Sequence, residues 1–371
     1  MGLNDTPSSE RIQIGIFGRR NAGKSTLFNL LVGEDLAVVS DTLGTTTDPV
    51  KKAMELLPLG PVLFIDTPGL DDEGELGEKR ITKAKEILRK IDMAILVKTS
   101  EETDAFETDF LEEIKKRHLS YITVTARNHW NREEILDEII RGYEPPKERP
   151  LVRDLISVND SVVLVIPIDK AAPKGRLILP QQQVIRDVLD AGGIPVICRD
   201  SELPEVLKNK QYSPKMVICD SQVFETVDQI VPKTIPLTSF SILMARYKGD
   251  LKTQISGAYV LGNLKEGDRI LISEGCSHKR QCKDIGTVKI PGWIKNFTGK
   301  EFSYSFTSGG EYPEDLSEYD LIIHCGGCML PRREMEYRIE TAKQQNIPIT
   351  NYGVLIAYMH GILDRASELF K

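Results

Sequence analysis

The run Gly18-Arg19-Arg20-Asn21-Ala22-Gly23-Lys24-Ser25 constrains this chain more than any other feature in it. It fits the pattern G-x-x-x-x-G-K-[ST], and its surroundings fit too. The apolar stretch 12–17 reads as a strand running into the loop, and 26–32 as a helix leaving it. Glycines in such a loop let successive backbone N–H groups wrap an anion at a helix N-terminus. Lys24 brings a point charge to the β/γ-phosphate oxygens, and the Ser25 hydroxyl can ligate Mg²⁺. The expectation is an α/β domain that holds a nucleotide, with Gly18, Asn21, Ala22, Gly23, Lys24, Ser25 and Thr26 around the phosphates.

Two further elements lie downstream. Leu63-Phe64-Ile65-Asp66-Thr67-Pro68-Gly69 reads as a strand ending in D-x-x-G, and Gly44-Thr45-Thr46-Thr47-Asp48 is a threonine-rich loop between it and the first motif. Together the three elements resemble the Era/TrmE-like branch of translation-factor-type GTPases. The resemblance implies GTP/GDP as ligand and a Mg²⁺ held by Ser25 and Thr46, with Asp66 in its shell. Thr45 and Thr46 would form the first switch, and the Gly69 N–H would sense the γ-phosphate. Lys24, Thr46, Asp66 and Gly69 are the expected catalytic set. Leu70 stands where Ras-like enzymes carry a water-orienting glutamine, so no side-chain amide serves there. Asn21 is the residue that in this branch helps hold K⁺, which implies slow, K⁺-stimulated hydrolysis. One departure stands out: the guanine-reading motif N-K-x-D is absent. The chain between Asp66 and Thr125 is short for such a domain, with 112–121 the place where a piece is lacking.

Prolines set the next boundary. Tyr143-Glu144-Pro145-Pro146-Lys147-Glu148-Arg149-Pro150 can sustain neither helix nor sheet and reads as a linker. Beyond it, strands and helices alternate again, as in parallel βαβ units. The expected organisation is a flexible tail over 1–10, a P-loop domain over 11–142, a linker over 143–153, a small α/β unit over 154–240 and a last α/β domain over 241–371. The middle unit is small for an independent core, which suggests pairing with a second copy.

The last domain carries the second chemical signal. Cys276-Ser277-His278 and His324-Cys325-Gly326-Gly327-Cys328 each follow an apolar strand, so both can reach the carboxyl edge of a parallel sheet, where ligands collect. Three thiolates suit zinc or an iron–sulfur cluster. His278 or His324 can supply a fourth ligand or orient the sulfurs from behind, and Cys282 is an outside candidate. Cys198 and Cys219 end V-I-C strands and read as core thiols. A disulfide framework is not expected in a chain of this kind.

The whole chain, including Thr45-Thr46-Thr47-Asp48-Pro49-Val50, Lys248-Gly249-Asp250-Leu251 and Thr307-Ser308-Gly309-Gly310, resembles the FeFe-hydrogenase maturation GTPases. The stretch 279–323 between the two histidines is marginally shorter than the family pattern. The resemblance implies a P-loop GTPase domain, a small α/β dimerisation domain that makes a homodimer, and an α/β iron–sulfur domain. It places a 4Fe–4S cluster on Cys276, Cys325 and Cys328. It implies a scaffold and carrier for the diiron precursor of the hydrogenase active site, with two radical-SAM maturases and the apo-hydrogenase as partners. An RNA-modification or ribosome-assembly GTPase with structural zinc is the alternative. The formal net charge of −7 and the lack of a basic run disfavour nucleic acid. Neither a transmembrane run nor a secretory signal is evident, so the expected location is cytoplasmic and off the membrane.

Overall fold

The computed structural model describes residues 6–33, 49–69, 83–126, 130–147, 149–168, 177–209, 213–276 and 284–371. The chain divides into two compact units, Met1–Lys147 and Glu148–Lys371.

The first unit is a five-stranded sheet built on β1 (Ile12–Gly18), β2 (Val50–Leu56), β3 (Gly60–Asp66), β4 (Met93–Lys98) and β5 (Ser120–Thr125). The order is β2-β3-β1-β4-β5, with β2 antiparallel and the rest parallel. All six residues of β4 are buried, as expected of a central parallel strand covered on both faces. Alternation along the strands sorts their side chains into two cores. Ile14, Ile16, Val62 and Phe64 pack with Leu27, Leu31 and Ile139 on one face. Phe17, Leu63 and Ile65 pack with Phe110 and Ile114 on the other. Helix α1 (Lys24–Val32) supplies the first core; α2 (Ala105–Lys116) supplies the second and starts with a capping box between Asp104 and Glu107. The segment 112–121 runs from α2 into β5, which pairs with β4 in continuous register from Met93↔Ser120 to Lys98↔Thr125.

The second unit holds two parallel four-stranded sheets. One, ordered β7-β6-β8-β9, consists of β6 (Ser161–Val165), β7 (Ile194–Cys198), β8 (Pro214–Cys219) and β9 (Leu237–Ser239). The other, ordered β11-β10-β12-β13, consists of β10 (Arg269–Glu274), β11 (Ser303–Ser308), β12 (Leu321–His324) and β13 (Ile349–Asn351). Their facing sides share one core, in which Val163, Val217 and Leu237 join Ile270, Ile272 and Ile323 through Ala258, Val354 and Leu355. Helices Phe240–Lys248 and Leu251–Val260 leave the first sheet, each started by a side-chain cap, Ser239 and Asp250.

Strand β9 stops at Ser239, because the Ser239 cap turns Phe240 into the first helical residue. The last helical stretch of the chain is broken in two. Tyr352–Met359 ends at His360, Gly361 takes a φ of 69°, and Leu363–Ser367 starts afresh.

In the second sheet of this unit, β10 lies between β11 and β12. The chain leaves β10 toward one side and later returns to its other side, so a switch point opens beyond the carboxyl ends of β10 and β12. Cys276 and Cys325 follow those two strands. In the first unit the G-x-x-x-x-G-K-S loop lies likewise beyond the carboxyl end of a central parallel strand, β1, which stands between β3 and β4.

Candidate functional site

Three positive-φ residues shape the phosphate loop: Gly18, Asn21 and Gly23. At Gly18 a side chain is sterically barred, since a Cβ would lie 2.5 Å from the Val97 carbonyl oxygen of β4. Lys24 opens α1 and is buried at 8% exposure; its Nζ donates to the Arg19 carbonyl at 2.7 Å, which keeps the ammonium inside the loop. Asn21, Ser25 and Thr26 are exposed, while Ala22 packs into the core.

The loop is tied to β3 through chemistry. Ser25 Oγ donates to Asp66 Oδ2 at 2.6 Å, and Thr67 Oγ1 donates to the Ile16 carbonyl at 2.6 Å. Gly69 lies so close to the loop that a Cβ there would stand 3.2 Å from the Arg20 backbone nitrogen. Burial raises the Asp66 pKa, against the lowering effects of Ser25 and Lys24. Its second oxygen, Oδ1, is buried without a hydrogen-bond partner. An orphaned carboxylate oxygen beside a serine hydroxyl is a donor set that suits a hard cation such as Mg²⁺. Thr45, Thr46 and Leu70 lie outside the described residues.

At the second site, Cys276 stands two residues beyond the end of β10 and Cys325 directly beyond β12. Cys325 Sγ accepts backbone N–H bonds from Gly275 at 3.0 Å and Gly327 at 3.4 Å. The Cys325 N–H in turn donates to the Ser273 carbonyl at 2.9 Å, so the two strand ends are laced together through this residue. Burial, then the neighbouring Cys325 and Cys328, push the Cys276 thiol up to about 12; burial pushes Cys325 up to about 11 against its two N–H donors. Both thiols therefore resist ionisation in the absence of a cation. Sulfur donors gathered in this way suit a soft metal centre. No set of three His, Cys, Asp or Glu among the described residues already stands at the spacing of one metal ion.

His324 is placed differently from a ligand with a free nitrogen. It is fully buried; Nδ1 lies 2.8 Å from the Cys325 carbonyl and Nε2 lies 3.0 Å from Arg338 Nη1. A guanidinium can only donate, so Nε2 accepts and Nδ1–H donates. Burial, and then Arg338, lower the His324 pKa to about 3, so the ring is neutral. His278 and Cys282 lie outside the described residues. Cys198 and Cys219 are buried in the core of the first sheet, Cys219 within hydrogen-bond reach of the Thr238 carbonyl.

Comparison with known proteins places both sites in one family. The hydrogen maturase F dimerization domain model matches residues 151–249, and the hydrogen maturase F tetramerization domain model matches 252–369. Together they span more than half of the chain, and the model of the 50S ribosome-binding GTPase matches 13–127.

This chain belongs to the hydrogen maturase F family.

Within that family it is a GTPase-domain protein with two self-association domains. It is also similar to GTPase Der of Wolinella succinogenes, 42% identical over 98 residues, which is 26% of this chain and 20% of that protein. GTPase Era of Heliobacterium modesticaldum is 35% identical over 131 residues, 34% of this chain and 43% of that protein. The tRNA modification GTPase MnmE of Ehrlichia canis is 32% identical over 126 residues, 33% of this chain and 28% of that protein. The chain spans less than half the length of these curated relatives. The four strands β6–β9 lie in the maturase dimerization domain, and β10–β13 with all three site cysteines lie in its tetramerization domain. No described helix is long and apolar enough to cross a membrane.

Sequence reasoning missed two sets of residues. Trp130 packs its indole ring against Gly23 and donates Nε1–H to the Thr125 carbonyl at 2.9 Å, closing the loop from the β5 side. Its signal, a lone tryptophan after a strand, is too common to read. The second set is the pair of buried cations beneath the cysteines, Lys248 and Arg338. Lys248 stood in a quoted motif, but nothing in that motif tells a buried lysine from an exposed one.

Proposed function

We propose that this maturase binds and hydrolyses GTP in its first unit and holds a 4Fe–4S cluster on Cys276, Cys325 and Cys328 in its second. It serves there as scaffold and carrier for the diiron precursor of the FeFe-hydrogenase active site. The observation that carries the reading is the lacing of two neighbouring strand ends at a switch point, which brings thiols distant in sequence to one sheet edge. The partners are two radical-SAM maturases and the apo-hydrogenase, and the dimerization domain makes the homodimer. The setting is cytoplasmic.

In the nucleotide site Lys24 and the loop N–H groups bind the phosphates. Ser25, Thr46 and Asp66 hold Mg²⁺, Gly69 reports the γ-phosphate, and Asn21 helps hold K⁺. The bound cations would neutralise charge on the transferring phosphoryl group, a role an arginine finger fills elsewhere. Hydrolysis biases partner binding through the loop 45–48 and the segment 70–74 rather than driving chemistry at the cysteines. His278 supplies or exchanges at the fourth cluster position, while His324, with both nitrogens engaged, orients Cys325 from behind.

Anaerobic reconstitution with iron and sulfide, followed by iron analysis and low-temperature EPR of the reduced protein, tests this. A 4Fe–4S signal that disappears in Cys276→Ala supports it. One zinc per chain and no such signal overturns the cluster reading and favours a zinc-bearing RNA-modification or ribosome-assembly GTPase.

A further inference from the structure

Among the described residues of the second unit, two cationic side chains are buried: Lys248 at 2% exposure and Arg338 at 0%. Removing a cation from water costs several kcal/mol unless partners and geometry offset it. Lys248 bonds the backbone of the cysteine turn directly, and Arg338 reaches it through His324. Lys248, the last residue of helix Phe240–Lys248, donates from Nζ to the Cys328 carbonyl at 3.0 Å and the Leu330 carbonyl at 2.9 Å. Arg338, within helix Arg332–Gln344, lies behind His324, the residue that precedes Cys325. Its Nη1 donates to His324 Nε2 at 3.0 Å and to Ser273 Oγ at 3.3 Å, and its Nη2 donates to the Gly309 carbonyl at 2.8 Å. His324 passes the link on to the Cys325 carbonyl.

Two sequence motifs that the GTPase reading left unused are accounted for here. Lys248 comes from Lys248-Gly249-Asp250-Leu251. Gly309 and Thr307 come from Thr307-Ser308-Gly309-Gly310, and Thr307 Oγ1 donates to the same Ser273 hydroxyl at 3.0 Å. Two buried carboxylates lie in the same region. Glu334 accepts from Arg338 Nε at 2.9 Å but leaves Oε2 buried without a hydrogen-bond partner. Glu274, at the end of β10, accepts from the Tyr352 hydroxyl at 3.2 Å. Arg338 is thus ion-paired with Glu334, whose second oxygen stays unsatisfied, while Lys248 is directed at carbonyls of the cysteine turn.

We infer that Lys248 and Arg338 are positioning residues that fix the Cys325–Cys328 turn and favour the more electron-rich, more anionic state of the centre held there. The inference rests on the cluster reading proposed above. The step they bias is uptake of one electron from an external one-electron donor, dithionite in the assay. No bond forms or breaks in it, and the added negative charge stays on the centre. A nearby positive charge stabilises that state, so removing it makes reduction harder.

The test uses the full chain, reconstituted anaerobically, with iron content, circular dichroism and an EPR-monitored redox titration. Lys248→Met should keep its iron and shift the reduction equilibrium about tenfold toward the oxidised form, about 59 mV for one electron. Arg338→Met should shift it the same way, and Lys248→Arg should stay near the parent. Glu334→Gln should shift it the opposite way, because it removes negative charge while preserving an acceptor for Arg338. A purely structural role would not produce opposite signs. If Arg338→Met does not fold, Lys248→Met and Glu334→Gln decide the matter alone. Loaded variants that titrate with the parent overturn this inference and leave the cluster reading standing. A parent protein that takes up no cluster overturns the cluster reading itself, and this inference with it.

Discussion

The two sites of this maturase are built on the same topological device in different ways. Each lies beyond the carboxyl ends of parallel strands at a switch point. The nucleotide site is concentrated: from Gly18 to Ser25 one continuous loop supplies the anion cradle, the lysine charge and the Ser25 hydroxyl, which is bonded to Asp66 at the end of β3. The cysteine site is dispersed. Cys276 and Cys325 come from strand ends joined by Gly275 and Ser273, and the charges behind them come from two helices. A concentrated site carries its geometry in local backbone conformation. A dispersed one depends on the packing of the whole unit around it.

The largest expected effects test whether the two are independent. Cys325→Ala should lose the cluster completely, because it removes a ligand and the acceptor of two N–H bonds together. Nucleotide binding, followed by a fluorescent GTP analogue, should be unchanged. In the mirror experiment, Lys24→Ala should slow hydrolysis by at least about a hundredfold, the order expected when one charge-stabilising donor is removed from a transition state. Iron content should stay at the parent level. Simultaneous loss of both properties in either variant would break the contrast.

The same contrast governs what could be read before the structure. The phosphate loop was legible because its residue types and spacing state the backbone path outright. The cysteines were legible as residues, and the apolar runs before them as strands. The order of those strands, which makes them neighbours, was not. Strand β11 (Ser303–Ser308) is a half-exposed edge whose alternation rests on two aromatics alone, Tyr304 and Phe306, among serines and a threonine, too short a pattern to tell a strand from a polar loop. Arg338 was hidden for a different reason. With Glu334 it forms an i,i+4 pair in a highly charged helix, and in sequence such a pair reads as a solvated face. Only the tertiary structure shows that face turned inward.

If the cysteine site depends on the packing of its unit, a brace between the two sheets should matter more to it than to the nucleotide site. Arg365, in helix Leu363–Ser367, ion-pairs with Asp228 and donates to the carbonyls of Val231, Pro232 and Ile235, joining the tetramerization and dimerization domains. Arg365→Met should cost about 2 kcal/mol of stability, since several bonds to a charged donor are lost at once, read from denaturant unfolding of the second-unit transition. Burial opposes ionisation of Asp228, but Lys233 and Arg365 outweigh it, and the net shift is downward. Its contribution is therefore present above the unfolded carboxylate pKa of about 4 and is lost as pH falls through the lower folded value. The gap between parent and variant should narrow over that acid window; a gap independent of pH would assign the loss to the carbonyl contacts alone.

The smallest effect concerns how self-sufficient the concentrated site is. Trp130 lies outside the loop motif, yet its ring takes up the space beside Gly23, where a Cβ would come within 3.0 Å of it. Its N–H bond to the Thr125 carbonyl fixes the ring to the end of β5, so β5 buttresses the turn that presents Lys24. Trp130→Ala removes that buttress while leaving every phosphate-binding group in place. The expected loss is about 1 kcal/mol, roughly fivefold in nucleotide affinity, with the maximal hydrolysis rate little changed. Trp130→Phe should fall between, since it keeps a ring against Gly23 but gives up the N–H donor. An affinity unchanged in both variants would show that the loop holds its shape unaided, and the contrast with the dispersed cysteine site would then be sharper than the structure alone suggests.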